Sequence, residues 1–279
     1  MSRVVVISGG GTGIGRATAE LFARAGDRVV LVGRRADPLK RTADEITETL
    51  ARHGAGDDPH GAEAGTSTGS GAGAGAGAEV TTVVADLSET AGARHVRDVV
   101  REQFGRVDVL VNSAGGNAAF GSPAGDGDPL DETAEHWLGN FRSNVLTAVL
   151  LTEALRDLLA SPGGRVVLVS SIAAYRGSGS GSYAASKAAL HPYTYDLAAA
   201  LGPRGITVNA VAPGYVADTE FFQDTLAPER ERTLVGQTLN GRAGVPDDVA
   251  RTVRWLAAPE SGHVTAQIVQ VNGGAERGR

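Results

Sequence analysis

Seven short runs, at positions 4–7, 29–32, 80–85, 107–111, 166–169, 206–212 and 268–271, are rich in valine and isoleucine. Runs this short and this β-branched fit strands covered on both faces, the habit of a parallel sheet. Helical periodicity fills the intervals, over 14–25, 38–52, 89–104, 134–160, 183–201 and 247–257. Parallel neighbours need crossovers of helix length, and these are right-handed. The pattern therefore predicts a doubly wound α/β domain, one seven-stranded parallel sheet with helices on both sides.

With 279 residues, 42% apolar and 21% charged, the chain is long enough for one large domain and short for two. A single domain over 1–279 is expected. Residues 53–79 interrupt the rhythm with nine glycines and almost no large apolar side chain. Such a stretch buries too little surface to offset its ordering entropy, so it reads as a disordered insertion after the second helix. The net charge of −6 argues against nucleic acid, whose binders carry a basic face. Backbone amides still allow an anionic ligand. The absence of cysteine excludes disulfides, thiolate chemistry and cysteine zinc sites, and makes a cytoplasmic setting the expectation. Histidines 53, 60, 95, 136, 191 and 263 contain no H-x-x-x-H pair, so no metal is expected. No run approaches the ~18 apolar residues of a membrane helix, and the first residues lack a signal-peptide pattern. Membrane association is not expected.

Between the first strand and the first helix lies Ser8-Gly9-Gly10-Gly11-Thr12-Gly13-Ile14-Gly15-Arg16-Ala17. Glycine lets backbone turn tightly and approach a pyrophosphate, while the helix start offers N–H donors and a positive dipole end. No G-x-G-x-x-G fits here, and Arg16-Ala17 stands where a P-loop needs Lys-Ser/Thr, which disfavours ATP chemistry. The spacing that fits is G-x-x-x-G-x-G through Gly9, Gly13 and Gly15. About twenty residues on, where an acidic side chain would hold a ribose 2′-hydroxyl, the chain has Val32-Gly33-Arg34-Arg35. Two guanidinium forks suit a 2′-phosphate, so NADP(H) is expected over NAD(H).

Tyr183-Ala184-Ala185-Ser186-Lys187 opens a long helical stretch and puts phenol and ammonium on one helix face. A nearby cation favours phenolate, which would bring the tyrosine toward working pH. The pair follows a strand ending Val169-Ser170-Ser171 and a Gly/Ser loop. A hydroxyl, a phenol and an ammonium downstream of a dinucleotide-type turn form a reactive set.

At these residues the chain resembles the short-chain dehydrogenase/reductase family, in its branch of roughly 250 residues. The resemblance covers nearly everything outside 53–79 and follows the family's order. Ser8-Gly9-x-x-x-Gly13-x-Gly15 is followed by Asp86-Leu87, then Asn112-Ser113-Ala114-Gly115, then Asn144 seven residues after Trp137. Ser171, Tyr183 and Lys187 come next, then Pro213-Gly214-Tyr215-Val216 and Asn272-Gly273-Gly274. Ser8 replaces the usual threonine, and Ser113 the second asparagine of N-N-A-G. Counting thirteen back from Tyr183 reaches Ser170, whereas aligning the strand reaches Ser171 with a shorter loop; both stay open, with Ser171 favoured.

The resemblance implies a Rossmann fold and hydride exchange between a nicotinamide and a substrate carbonyl or carbinol carbon. It implies Tyr183 as general acid or base, Ser171 as hydrogen-bond donor to the carbonyl oxygen, and Lys187 as ribose contact and phenol modifier. Asn144 would anchor a water leading to Lys187. Cofactor contacts are implied for Ser8, Gly9, Gly11, Thr12, Gly13, Ile14 and Gly15, and for Arg34 and Arg35 at the 2′-phosphate. Asp86 and Leu87 would meet the adenine, Asn112, Ala114 and Gly115 would line the path to the ribose, and Pro213, Gly214 and Val216 would face the carboxamide. Substrate contacts are expected from loops 116–128, 173–182 and 217–239, the last carrying Phe221-Phe222. The favoured function is a ketoreductase acting on an uncharged or carrier-bound carbonyl, such as a 3-oxoacyl thioester or a secondary-metabolite ketone. Oxidation of an alcohol or sugar and non-catalytic NADP(H) sensing are the alternatives. A homo-oligomer, usually a tetramer in this family, is expected.

Overall fold

A computed structural model describes residues 2–53, 79–118, 128–222 and 226–277. Among them seven strands form one wholly parallel sheet: β1 (Val4–Ser8), β2 (Arg28–Gly33), β3 (Val80–Val84), β4 (Val109–Asn112), β5 (Arg165–Val169), β6 (Thr207–Pro213) and β7 (Ile268–Val271). Their order is β3-β2-β1-β4-β5-β6-β7, so the chain winds outward from β1 in one direction and then in the other. The expected insertion lies, except for its two end residues, outside the described residues.

Alternation along each central strand divides the core in two. Val6, Leu110, Val166, Leu168 and Val208 face helices α3 (Thr90–Gln103), α5 (Thr147–Leu155) and α7 (Gly181–Leu201). Val5, Ile7, Val109, Val111, Val167 and Val211 face α1 (Gly13–Arg24), α2 (Ala36–His53) and α9 (Pro246–Leu256). Burial on both faces holds for the five central strands but not for the edges: β3 leaves Val84 49% exposed, and β7 is half-buried throughout. An edge strand has a neighbour on one side only, so its covering layer thins there.

The helix expected over 134–160 is four pieces, the last a 3-10 turn at Arg156–Leu158. α4 (Pro129–Phe141) begins earlier, at an Asp128 cap that accepts from the Leu130 amide, with Pro129 in the first turn. It runs into a π-helical turn, Arg142–Leu146, before α5. The Asn144 side chain donates to the Asn140 carbonyl at 3.0 Å, taking the acceptor that an α-helical rung from residue 144 would use. A side chain competing for the ladder in this way widens the turn, and such turns gather at functional sites. Two short helices were not expected: α6 (Ala173–Arg176) and α8 (Pro228–Gly236).

Leu151 of α5 is fully buried between α3 and the sheet. Leu151→Ala is expected to lower the free energy of unfolding by roughly 2–5 kcal/mol; a urea-denaturation loss below about 1 kcal/mol would show that this layer is not a close-packed core.

Candidate active site

The turns after β1 and β4 leave the sheet side by side, where the winding direction reverses. Ser8 joins them: its hydroxyl, almost without solvent contact, accepts the amides of Ser113 and Ala114, each at 3.0 Å. A Cβ on Gly9 would stand 3.0 Å from the Ala114 nitrogen, and one on Gly15 would collide with the Gly9 carbonyl. Gly9 and Gly13 have φ of +69° and +50°, conformations that favour glycine. The Thr12 side chain caps nothing, and no acidic residue lies in the first turn of α1, so the amides there face outward unneutralised. An anionic pyrophosphate fits this cradle.

Other predicted cofactor residues divide into exposed and structural ones. Gly11 packs against Pro38 and Leu39, and Ile14 against the core. Arg34 is exposed at the end of β2 and its charge helps to hold the Asp86 carboxyl below its usual range, though the main cause is hydrogen bonding from Ser88. Arg35 pairs with Glu220 at 2.6 Å. Asp86 forms a tight turn, accepting from the Ser88 amide and hydroxyl, while Leu87 is buried in the core. Asn112 is buried, donates to Thr152 at 2.9 Å, and leaves its Oδ1 without a partner. Gly214 packs against Asn272, Pro213 ends β6, and buried Val216 follows.

The catalytic candidates converge. Tyr183 is 7% exposed and hydrogen-bonded by Ser171, whose oxygen also accepts the Ala173 amide at 3.1 Å. Ser170 points elsewhere: it donates to the Lys187 carbonyl. Lys187 is buried, and its Nζ donates to the Val169 carbonyl at 2.9 Å. A Cβ on Gly115 would meet that Nζ at 3.1 Å and overlap Asn144 Oδ1, so the turn after β4 lies directly against the lysine.

Asn144 holds that turn. Its Nδ2 donates to the Gly116 carbonyl at 2.8 Å and to Ser186 at 3.1 Å, and its Oδ1 accepts the Gly116 amide at 3.0 Å. The side chain expected to anchor a water is therefore engaged by protein groups. Asn140, one turn earlier, accepts the Ala118 amide and donates to Ser182. Asn140, Ser182 and Ser186 were not anticipated, although the four-residue spacing in each helix was visible. Among the described residues no group of acidic and histidine side chains could hold a metal. A short turn, Glu220–Phe222, crosses the cleft: Phe221 lies 5.4 Å from the Tyr183 ring, and the Thr219 methyl is 3.4 Å from where a Cβ of Gly13 would be.

Burial governs the titration of both residues of the pair. Tyr183 is pushed up to about 12, against the expectation that Lys187 would lower it, because desolvation outweighs the Ser171 hydrogen bond. Desolvation also brings Lys187 down to about 8 from 10.5. Between these pH values the unfolded chain binds the lysine proton and the folded one does not, so stability rises with pH. Measured by urea unfolding without cofactor, the native protein is expected to gain up to roughly 3 kcal/mol on Lys187→Met as pH rises from about 8 to 10.5. A difference that stays flat across that range would contradict a lysine that burial brings down to about 8.

Comparison with known proteins identifies the family. Residues 61–276 match a family profile described as enoyl-(acyl carrier protein) reductase, and residues 3–57 one described as short chain dehydrogenase. The chain is 33% identical to the short-chain reductase protein NovJ of Streptomyces niveus over 97% of its length and 93% of that protein. It is 28% identical to the 3-oxoacyl-[acyl-carrier-protein] reductase FabG of Escherichia coli over 98% and 96% of the two chains. A solved short-chain dehydrogenase/reductase from Brucella melitensis, described as a glucose/ribitol dehydrogenase, superposes with a TM-score of 0.79 at 28% identity, covering 99% and 97%. By the profile match over most of its length and its likeness to these reductases, this chain, an oxidoreductase, belongs to the short-chain dehydrogenase/reductase family.

Proposed function

We propose that the protein reduces a ketone to an alcohol with NADPH, taking an uncharged or carrier-bound carbonyl. One observation carries this reading: the Tyr183 phenol, hydrogen-bonded by Ser171 and one helical turn from Lys187, stands beside the crevice that the glycine turn opens. The nicotinamide cofactor supplies the hydride when bound. The turn 9–15 would hold its pyrophosphate, Arg34 its 2′-phosphate, and Lys187 with the turn at Ala114 and Gly115 its nearer ribose. Asp86, Asn112 and Val216 remain contacts at the crevice rim, and Arg35 would have to exchange Glu220 for phosphate.

A phenol held near 12 is protonated at neutral pH and is ready to give its proton to the carbonyl oxygen. The Ser171 hydroxyl donates to the same oxygen, where negative charge grows, an effect of about 3 kcal/mol for one such donor. The Lys187 ammonium favours the phenolate left behind. Asn144 keeps Gly115 and Gly116 against the lysine. Phe221 gives the phenol an apolar neighbour, which supports a neutral substrate, and relatives named as reductases support the direction. A cytoplasmic homotetramer accords with the absence of cysteine and with the exposed Trp137, Leu138 and Leu146 along α4 and the π-turn.

Cofactor oxidation over a panel of simple ketones, 3-oxoacyl thioesters and quinones, with NADPH and NADH in parallel, tests the reading. Tyr183→Phe is expected to lower kcat by about a hundredfold or more. Arg34→Ala is expected to raise KM for NADPH by about tenfold more than KM for NADH. Undiminished reduction in the first variant would remove the mechanism, and equal changes for the two cofactors in the second would remove the NADP assignment.

A further inference from the structure

Two polar residues beside the site have no part in the chemistry above. Ser170 is 3% exposed, and its hydroxyl lies 3.0 Å from the Lys187 carbonyl and 2.9 Å from His191 Nε2. His191 follows Lys187 by one turn of α7 and is half-buried, its ring tilted against Tyr175 of α6 with centroids 4.9 Å apart.

A serine hydroxyl has one hydrogen to give. With that hydrogen on the Lys187 carbonyl, the oxygen meets His191 as an acceptor, and the imidazole carries its own hydrogen on Nε2. The chain of donors runs from His191 through Ser170 to the Lys187 carbonyl. A second bond runs in the opposite sense, from Lys187 Nζ to the carbonyl of Val169. Consecutive residues at the end of β5 therefore grip Lys187 by its main chain and by its ammonium.

Helix α7 cannot hold this turn by its own ladder alone. Pro192 lies inside the helix and has no N–H, so the Ala188 carbonyl receives no rung from residue 192. The interruption falls directly after His191, one turn from Lys187. Next to that missing rung, Ser170 ties the neighbouring Lys187 carbonyl laterally to the end of β5.

We propose that His191, acting through Ser170, is a positioning residue that fixes where β5 holds Lys187 beside Tyr183. This inference rests on the reductase reading above, in which Lys187 serves the reaction. Its first test needs no activity: nitrogen-15 spectra of the imidazoles in the intact, cofactor-free protein at neutral pH. His191 is expected as the neutral Nε2–H tautomer, with the preference lost in Ser170→Ala; an Nδ1–H tautomer in the native protein would overturn the proposal.

The second test is steady-state reduction, with NADPH, of the panel ketone that the native protein turns over fastest. Ser170→Ala and His191→Leu are expected to lower kcat by about tenfold while KM for the ketone changes by less than about twofold. His191→Gln, which keeps a donor near the Nε2 position, is expected to recover most of the loss. Native kcat in folded Ser170→Ala and His191→Leu proteins, or no recovery with glutamine, would overturn the proposal. The two readings fail differently: full activity in Tyr183→Phe would sink the reductase mechanism, whereas an inactive Tyr183→Phe beside a fully active His191→Leu would sink only the positioning role.

Discussion

The parallel pairing of β1 with both β2 and β4 is the constraint on which the site depends. Because the chain winds away from β1 in two directions, the loops after β1 and β4 diverge and leave a crevice at the carboxyl ends of the strands. Ser8 sets its width by accepting two amides of the neighbouring turn. Gly9 then sits in van der Waals contact with Ala114, and no side chain fills the gap. Bulk at Gly9 would push the two turns apart, and bulk at Gly15 would strike the Gly9 carbonyl within its own turn, so both glycines serve the geometry at the carboxyl end of the sheet.

Depth is the second theme. Lys187, Asn140, Asn144, Ser182 and Ser186 are all buried, and each unmatched buried polar group costs about 1–3 kcal/mol. Here they are matched to one another and to loop amides, which turns a liability into a scaffold. Two asparagines on α4 and the π-turn meet two serines on α7, and their remaining donors and acceptors hold residues 116 and 118. The same burial keeps Tyr183 an acid and leaves Lys187 close to losing its charge. Rigid placement and shifted titration thus have one cause, the exclusion of water.

Much of this was legible in the residues. Valine-rich runs located all seven strands, since β-branched stretches without a polar face have few other places to go. The strand–glycine–helix order located the cradle, and the Tyr-x-x-x-Lys spacing put two reactive groups on one helix face. Less visible was the break in the helix expected over 134–160, because it comes from the Asn144 side chain turning back on the Asn140 carbonyl, a choice of rotamer rather than of residue type. The edge strands were read as fully covered because period-2 burial on a sheet does not disclose which strand lacks a neighbour.

Local sequence was enough for fold class, the glycine turn after β1 and the placement of Tyr183 and Lys187 on one helix, because each rests on backbone stereochemistry or on spacing within one element. Only the folded chain decided between Ser170 and Ser171 as the neighbour of Tyr183, since successive residues past a strand end face opposite ways and the choice depends on how β5 meets α7. It also decided that burial, and not the adjacent lysine, dominates the phenol, and that Glu220 reaches Arg35 across 185 positions. Those outcomes depend on desolvation and on long-range proximity, and neither is a property of any short stretch of chain.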